Sequence, residues 1–191
     1  MTTTPRPTGP PARHSNAAVA ALLVPLVVGT AVAVALGVFA RMHDPTGHSI
    51  DVPGFSSTLA VKTWLTTLAA ALAIVQVVTA SGMWGRLGLA DATWTAPVHR
   101  WSGRLAVAAT IPVVVHCVYA IGFESASTRV LVHSLLGCFF FGAFVAKMLA
   151  LPRGNLPGWS LPVLGGLVTV ALIALWLTSA LWYFDTHGVG T

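Results

Sequence analysis

Residues 98–122 read VHRWSGRLAVAATIPVVVHCVYAIG, and residues 129–150 read RVLVHSLLGCFFFGAFVAKMLA. Each run is long enough to cross the hydrocarbon of a bilayer, for which about 20 apolar residues suffice. Each carries a histidine, His116 near the end of the first and His133 near the start of the second. A short polar hairpin, roughly Phe123 to Arg129, joins them. If the first run rises, His116 lies about 9 Å below its end at 1.5 Å of helix per residue. The second run descends, and His133 lies about 6 Å below its start. The two imidazoles therefore share one depth. An ionisable side chain in hydrocarbon is costly unless it pairs, ligates or lines a wet cavity. Two imidazoles on different helices at one depth have the arrangement that holds haem iron from both sides.

Working outward, three further runs meet the same length criterion, at about 17–40, 58–82 and 161–184. The 191 residues are 55% hydrophobic and 8% charged, against about 25% charged in soluble domains. The expected fold is an all-α integral membrane bundle of five transmembrane helices, 17–184, forming one domain. Residues 1–16, rich in Thr and Pro, read as a disordered cytoplasmic tail, and 185–191 as a short extracytoplasmic one. Arg6 and Arg13 resemble the basic start of a signal peptide. The apolar stretch that follows, at about 24 residues, exceeds a signal core of 7–15, so a retained anchor is expected.

Charge sets the orientation. With the N-terminus inside, Arg6, Arg13, Arg86, Arg100, Arg104, Lys147 and Arg153 are cytoplasmic, and Arg41, Lys62 and Arg129 are outside. This asymmetry obeys the positive-inside rule and places the C-terminus outside. The formal charge of +5 is scattered at helix ends. Anionic lipid headgroups, not nucleic acid, are its expected partner. No Walker motif, catalytic-triad spacing or pair of intramembrane carboxylates appears, which argues against a hydrolase, a pump or a proton-coupled transporter.

Other features have plain readings. Trp84, Trp94, Trp101 and Trp159 fall near the inner interface and Trp64, Trp182 and Tyr183 near the outer one, as an aromatic belt. Ala33 with Gly37, and Gly142 with Ala146, have the spacing of close helix contacts. Cys117 and Cys138 read as small apolar packing residues at different depths. His43 and His48, with Asp44 and Asp51, lie in a turn-rich loop that lacks zinc-site spacing.

A third histidine, His99, stands seventeen residues before His116. That is about 26 Å along a helix, close to the hydrocarbon thickness, so one helix carries an imidazole at each membrane surface. Seventeen steps of about 100° leave the two facing directions roughly 100° apart. His99 has no inner histidine partner. Its alternatives are a haem ligand with Met148 or Met83, a contact to a quinone headgroup, or a plain interfacial residue. Arg104, one turn beyond Arg100, either neutralises haem propionates or a quinone oxygen, or anchors the helix at the interface. Sequential helices are usually packed 8–10 Å apart, too close for haem, so His116 or His133 could instead pair with an outer histidine, His43 or His187.

The segment from His99 to His116, HRWSGRLAVAATIPVVVH, resembles the histidine-bearing helix of ferric reductase and cytochrome b561-like membrane cytochromes. There, an HRWxGR-type start and a later histidine on the same helix ligate two stacked haems. RVLVHSLLG around His133 looks like the partner helix. The resemblance covers about residues 99–140 and implies His116 and His133 as outer ligands and His99 as an inner one. The separation of seventeen is longer than is usual in ferric reductases, and the second helix has no histidine near its inner end. No flavin or nicotinamide domain follows, so an electron-transfer subunit is expected rather than a complete ferric reductase. The whole chain also resembles an uncharacterised family of small multi-pass bacterial membrane proteins, which implies no activity.

The leading expectation is a membrane b-type cytochrome with one haem b, or two if His99 ligates. It would pass electrons between a quinone or an inner donor and an extracytoplasmic redox protein. The rival is a non-catalytic accessory or assembly subunit whose histidines are structural.

Overall fold

The structure is a computed structural model and describes residues 17–48, 52–88 and 92–190. The N-terminal tail, with Arg6, Arg13 and His14, lies outside the described residues, as does Asp51. The main helices are α1 (Leu23–Met42), α2 (Thr58–Met83), α3 (Thr95–His116), α4 (Thr128–Ala150) and α5 (Ser160–Trp176). α3 and α5 each continue through one π-helical turn, Cys117–Ile121 and Leu177–Leu181. A short α6 (Trp182–His187) completes the last span. The first span begins at Ala17. All five spans are long and apolar enough to cross a membrane, and no strand occurs among the described residues. The expected all-α, multi-pass architecture is therefore present.

Local sequence explains the helix starts. Ser57 and Ser127 are extended residues whose hydroxyls accept from Ala60 N at 3.2 Å and Val130 N at 3.3 Å. Each satisfies one orphan donor of a first turn, the usual work of an N-cap serine. The end of α3 is closed differently. Gly122 adopts φ +81°, a region costly for other residues. That turn aims Phe123 N at Ala40 O, 2.8 Å away. The loop after α1 supplies Thr46 N to Tyr119 O at 3.0 Å and Gly47 N to Ala120 O at 3.2 Å. Carbonyls left over at the end of the π turn thus find donors, as helix ends require.

Small residues decide which helices meet. A Cβ on Gly29 would stand 2.5 Å from Gly142 O and 2.8 Å from Ala146 Cβ. Gly142 in turn faces Ala33. The α1–α4 crossing therefore has backbone against backbone, the geometry small residues permit in membranes. The expected pairs are partly those found: Ala33, Gly142 and Ala146 take part, and Gly37 looks at Cys138 instead.

Beyond this pair, α2 packs on α3, and α5 packs on both α4 and α2. The π turn after α3 touches α1. The helices thus form a ring in the order α1, α4, α5, α2, α3. Although consecutive in sequence, α3 and α4 are not packed directly against one another. The core gathers Ala69 and Ala73, Ala109, Phe140, Ala171, Leu172 and Leu175 from four helices. Trp84, Trp94, Trp101 and Trp159 are exposed at one end, as a belt should be. Tyr183 departs from the expectation: it is buried and stacks on His187 with ring centroids 4.7 Å apart.

Candidate functional site

The gap between α3 and α4 is a cavity of about 310 Å³. That is at the low end of the roughly 300–1,000 Å³ typical of small-molecule sites. Val113 and Val118 of α3 and its π turn form part of one wall, and Phe140 and Phe141 of α4 part of the other. Leu172 and Leu175 of α5 close the side next to the core. The polar groups include His133, Lys62, Arg129 and Glu124. The separation between α3 and α4 resolves a difficulty of the sequence reading, because consecutive helices in ordinary contact would leave no room for a flat macrocycle.

His133 projects from α4 into this cavity and is held from α5. Its Nδ1 lies 2.9 Å from Thr178 Oγ1, and that hydroxyl donates to Ala174 O at 2.8 Å. A threonine hydroxyl has one proton. With it directed to the Ala174 carbonyl, the oxygen accepts from His133, so Nδ1 carries the ring proton. Nε2 then keeps its lone pair. A ligating histidine is usually prepared in this way, by a second group that fixes tautomer and ring orientation. Thr178 belongs to the π turn of the last span. Its carbonyl accepts from Arg129 Nη1 at 2.6 Å, and the Arg129 guanidinium stands 4.0 Å over the Trp182 ring. π turns recur at functional sites. Here the turn fixes the neighbours of His133.

His99 is oriented by the same device at the opposite end of the bundle. Its Nδ1 lies 3.0 Å from Thr79 Oγ1 on α2, and Thr79 donates to Val75 O at 2.7 Å. Gln76 adds a second link, donating to His99 O and, at 2.7 Å, to Ser102 Oγ. Met83 and Met148, the thioethers expected at this depth, are both exposed on the outside of the bundle. Arg104 is also exposed, 5.1 Å from the Trp101 ring, and is not part of the cavity wall. This is the position of an interfacial anchor.

His116 is buried, and its side chain has no hydrogen bond with any described residue. It immediately precedes Cys117, which lines the cavity, but is not itself part of the lining. The structure thus brings His133 to the cavity and leaves His116 one residue aside on the facing helix. His43 is stacked on Phe39 at 5.1 Å and edge-on to Tyr119 at 5.2 Å, with its buried Nε2 lacking a partner. His187 stacks on Tyr183, and His48 Nδ1 lies 3.1 Å from Thr46 O. Among the described residues, no three His, Cys, Asp or Glu side chains gather as a metal cluster. Cys117 and Cys138 are free thiols, and both line the cavity despite their different positions along the helices.

The donor set fits one axial imidazole, with a second histidine on the helix across the gap. Sequence reasoning missed Thr178 and Thr79. A threonine on the helix that precedes His99 in sequence, and one on the helix that follows His133, were the available signal.

Comparison with protein families gives a single result. Residues 22–191 match DUF6529, a family of unknown function. The chain belongs to that family. No match is found among curated proteins or among solved structures.

Proposed function

We propose that this DUF6529 protein is a membrane b-type cytochrome that moves electrons between a quinone or an inner donor and an extracytoplasmic redox partner. One observation carries the reading: His133, its Nδ1 proton held by Thr178, faces a cavity between two consecutive helices that do not pack together. Haem b in that gap would supply one-electron cycling of iron. The chain would do the rest. His133 presents Nε2, and Thr178 sets its tautomer. Phe140, Phe141 and Leu172 exclude water. His116, one residue before the cavity-lining Cys117 on α3, does not line the cavity and would have to turn toward it to serve as a second ligand. The motif around His99, with its resemblance to ferric reductase and b561-like cytochromes, supports the same class. His99, held by Thr79 at the other end of the bundle, would then serve a quinone headgroup.

The rival accessory-subunit reading has one observation in its favour. The His133–Thr178 and His99–Thr79 bonds each tie two helices and would serve as structural links in a bundle without cofactor. Haem content separates the two. The full chain, produced with ample haem and purified in nanodiscs, should carry about one haem per chain with a low-spin b-type spectrum. Protein free of haem under those conditions would leave the structural bundle.

A further inference from the structure

The cavity carries more positive charge than it can balance. Lys62 of α2 and Arg129 of α4 both line it, together with His133. The Arg129 guanidinium is engaged by Thr178 O and Trp182. Glu124, the one carboxylate of the lining, is exposed and forms no ion pair with any described residue. The Lys62 ammonium has neither a hydrogen bond nor a carboxylate partner among the described residues. His116 and His133, its other titratable neighbours, bring no negative charge.

A lysine near a helix end normally turns its ammonium out to the headgroups. Lys62, in the first turns of α2 and partly buried, lines a cavity whose exposed lining is overwhelmingly apolar. A partly buried lysine that shares an apolar lining with Arg129 gains from a counter-charge. The counter-charge missing from the chain is the feature that a ligand can supply. We propose that the cavity takes an amphiphile whose carboxylate pairs with Lys62 while its apolar body lies between α3 and α4. This deepens the cytochrome reading and rests on it where the ligand is haem: the propionate edge would face the Lys62 end. Haem propionates and the carboxylate of a free fatty acid share this chemistry.

The test uses the full chain, freed of bound haem and lipid and returned to nanodiscs of neutral lipid. Haem and haem dimethyl ester, which lacks the carboxylates, are titrated by their absorbance. Oleate and oleyl alcohol are titrated by tryptophan fluorescence in a variant that keeps Trp182, which lines the cavity, and has the other tryptophans replaced by Phe. Haem should bind about tenfold or more tighter than its ester, the scale of one charge-assisted contact. Lys62→Met should erase that preference, and Lys62→Arg should keep it. Equal binding of haem and ester to the unaltered protein would overturn the Lys62 proposal and leave the cytochrome reading standing. That comparison needs no variant and so survives a Lys62→Met protein that fails to fold. If haem does not bind but oleate is preferred to oleyl alcohol in a Lys62-dependent way, the carboxylate site stands and the cytochrome reading falls. A preference for either acid that persists in Lys62→Met would also overturn the proposal.

Discussion

Replacing Thr178 by Val removes a hydroxyl and little volume. The hydroxyl makes two contacts, 2.9 Å to His133 Nδ1 and 2.8 Å to Ala174 O. The carbonyl contact is an extra bond inside one helix, and its loss costs little. The imidazole contact is different, because Nδ1–H is left without an acceptor in a half-buried position. Two magnitudes bear on the outcome. An interhelical hydrogen bond in a membrane protein contributes about 0.6 kcal/mol to stability. Loss of the group that orients a metal-ligating histidine lowers metal affinity about 10–100-fold, or roughly 1.4–2.8 kcal/mol. The ligand effect is the larger one, so Thr178→Val should fold nearly as well as the parent yet bind haem about 10–100-fold more weakly. Thr178→Ser, which restores the hydroxyl, should recover the affinity. Haem titration of the apo-protein by absorbance reads the first quantity, and thermal unfolding in detergent reads the second. Unchanged haem affinity in Thr178→Val would refute the claim that Thr178 prepares His133 as a ligand.

Three further outcomes follow from the same structure. Gly29→Ala should separate α1 from α4, since its Cβ would meet backbone oxygen at 2.5 Å, and should cost about 1–3 kcal/mol in an unfolding assay. Gly37→Ala, whose Cβ would sit an ordinary 3.6 Å from Cys138 Sγ, should be tolerated, and equal loss in both variants would contradict the crossing described. His99→Ala should keep the haem spectrum while slowing reduction by a quinol; finding about two haems per chain, with one lost in His99→Ala, would show that His99 is a ligand after all. A reporter fused after Thr191 should be extracytoplasmic, and a cytoplasmic signal there would reverse the assignment of the two ends.

The spans were legible because hydrocarbon demands length and apolarity, and both are written in consecutive residues. A fixed rise per residue also puts His99 and His116 at opposite ends of one helix, and both lie in the helical span Thr95–Ile121. Lateral direction was not legible. Each residue turns the helix by about 100°, so a boundary error of one or two residues swings a side chain onto another neighbour. Hence His133 but not His116 lines the cavity. The Thr79 and Thr178 contacts join consecutive helices, α2 to α3 and α4 to the last span, and were hidden by the same uncertainty of lateral direction. The α1–α4 crossing through Gly29 and Gly142 displaces α3 from α4, and a sequence-adjacent pairing of helices would not suggest it. The expectation that Arg104 meets a cofactor had no such geometric support, and the side chain lies on Trp101 at the exposed face.

The central claim is that His133 Nε2 is an axial ligand, and chemical rescue tests it most directly. His133→Gly leaves a space the size of an imidazole next to Thr178. Purified His133→Gly should lose the low-spin b-type absorbance, and adding free imidazole should restore it, because the small molecule can occupy the vacated ligand position. A low-spin spectrum that survives His133→Gly without imidazole would contradict the account, since the iron would then be held by other residues.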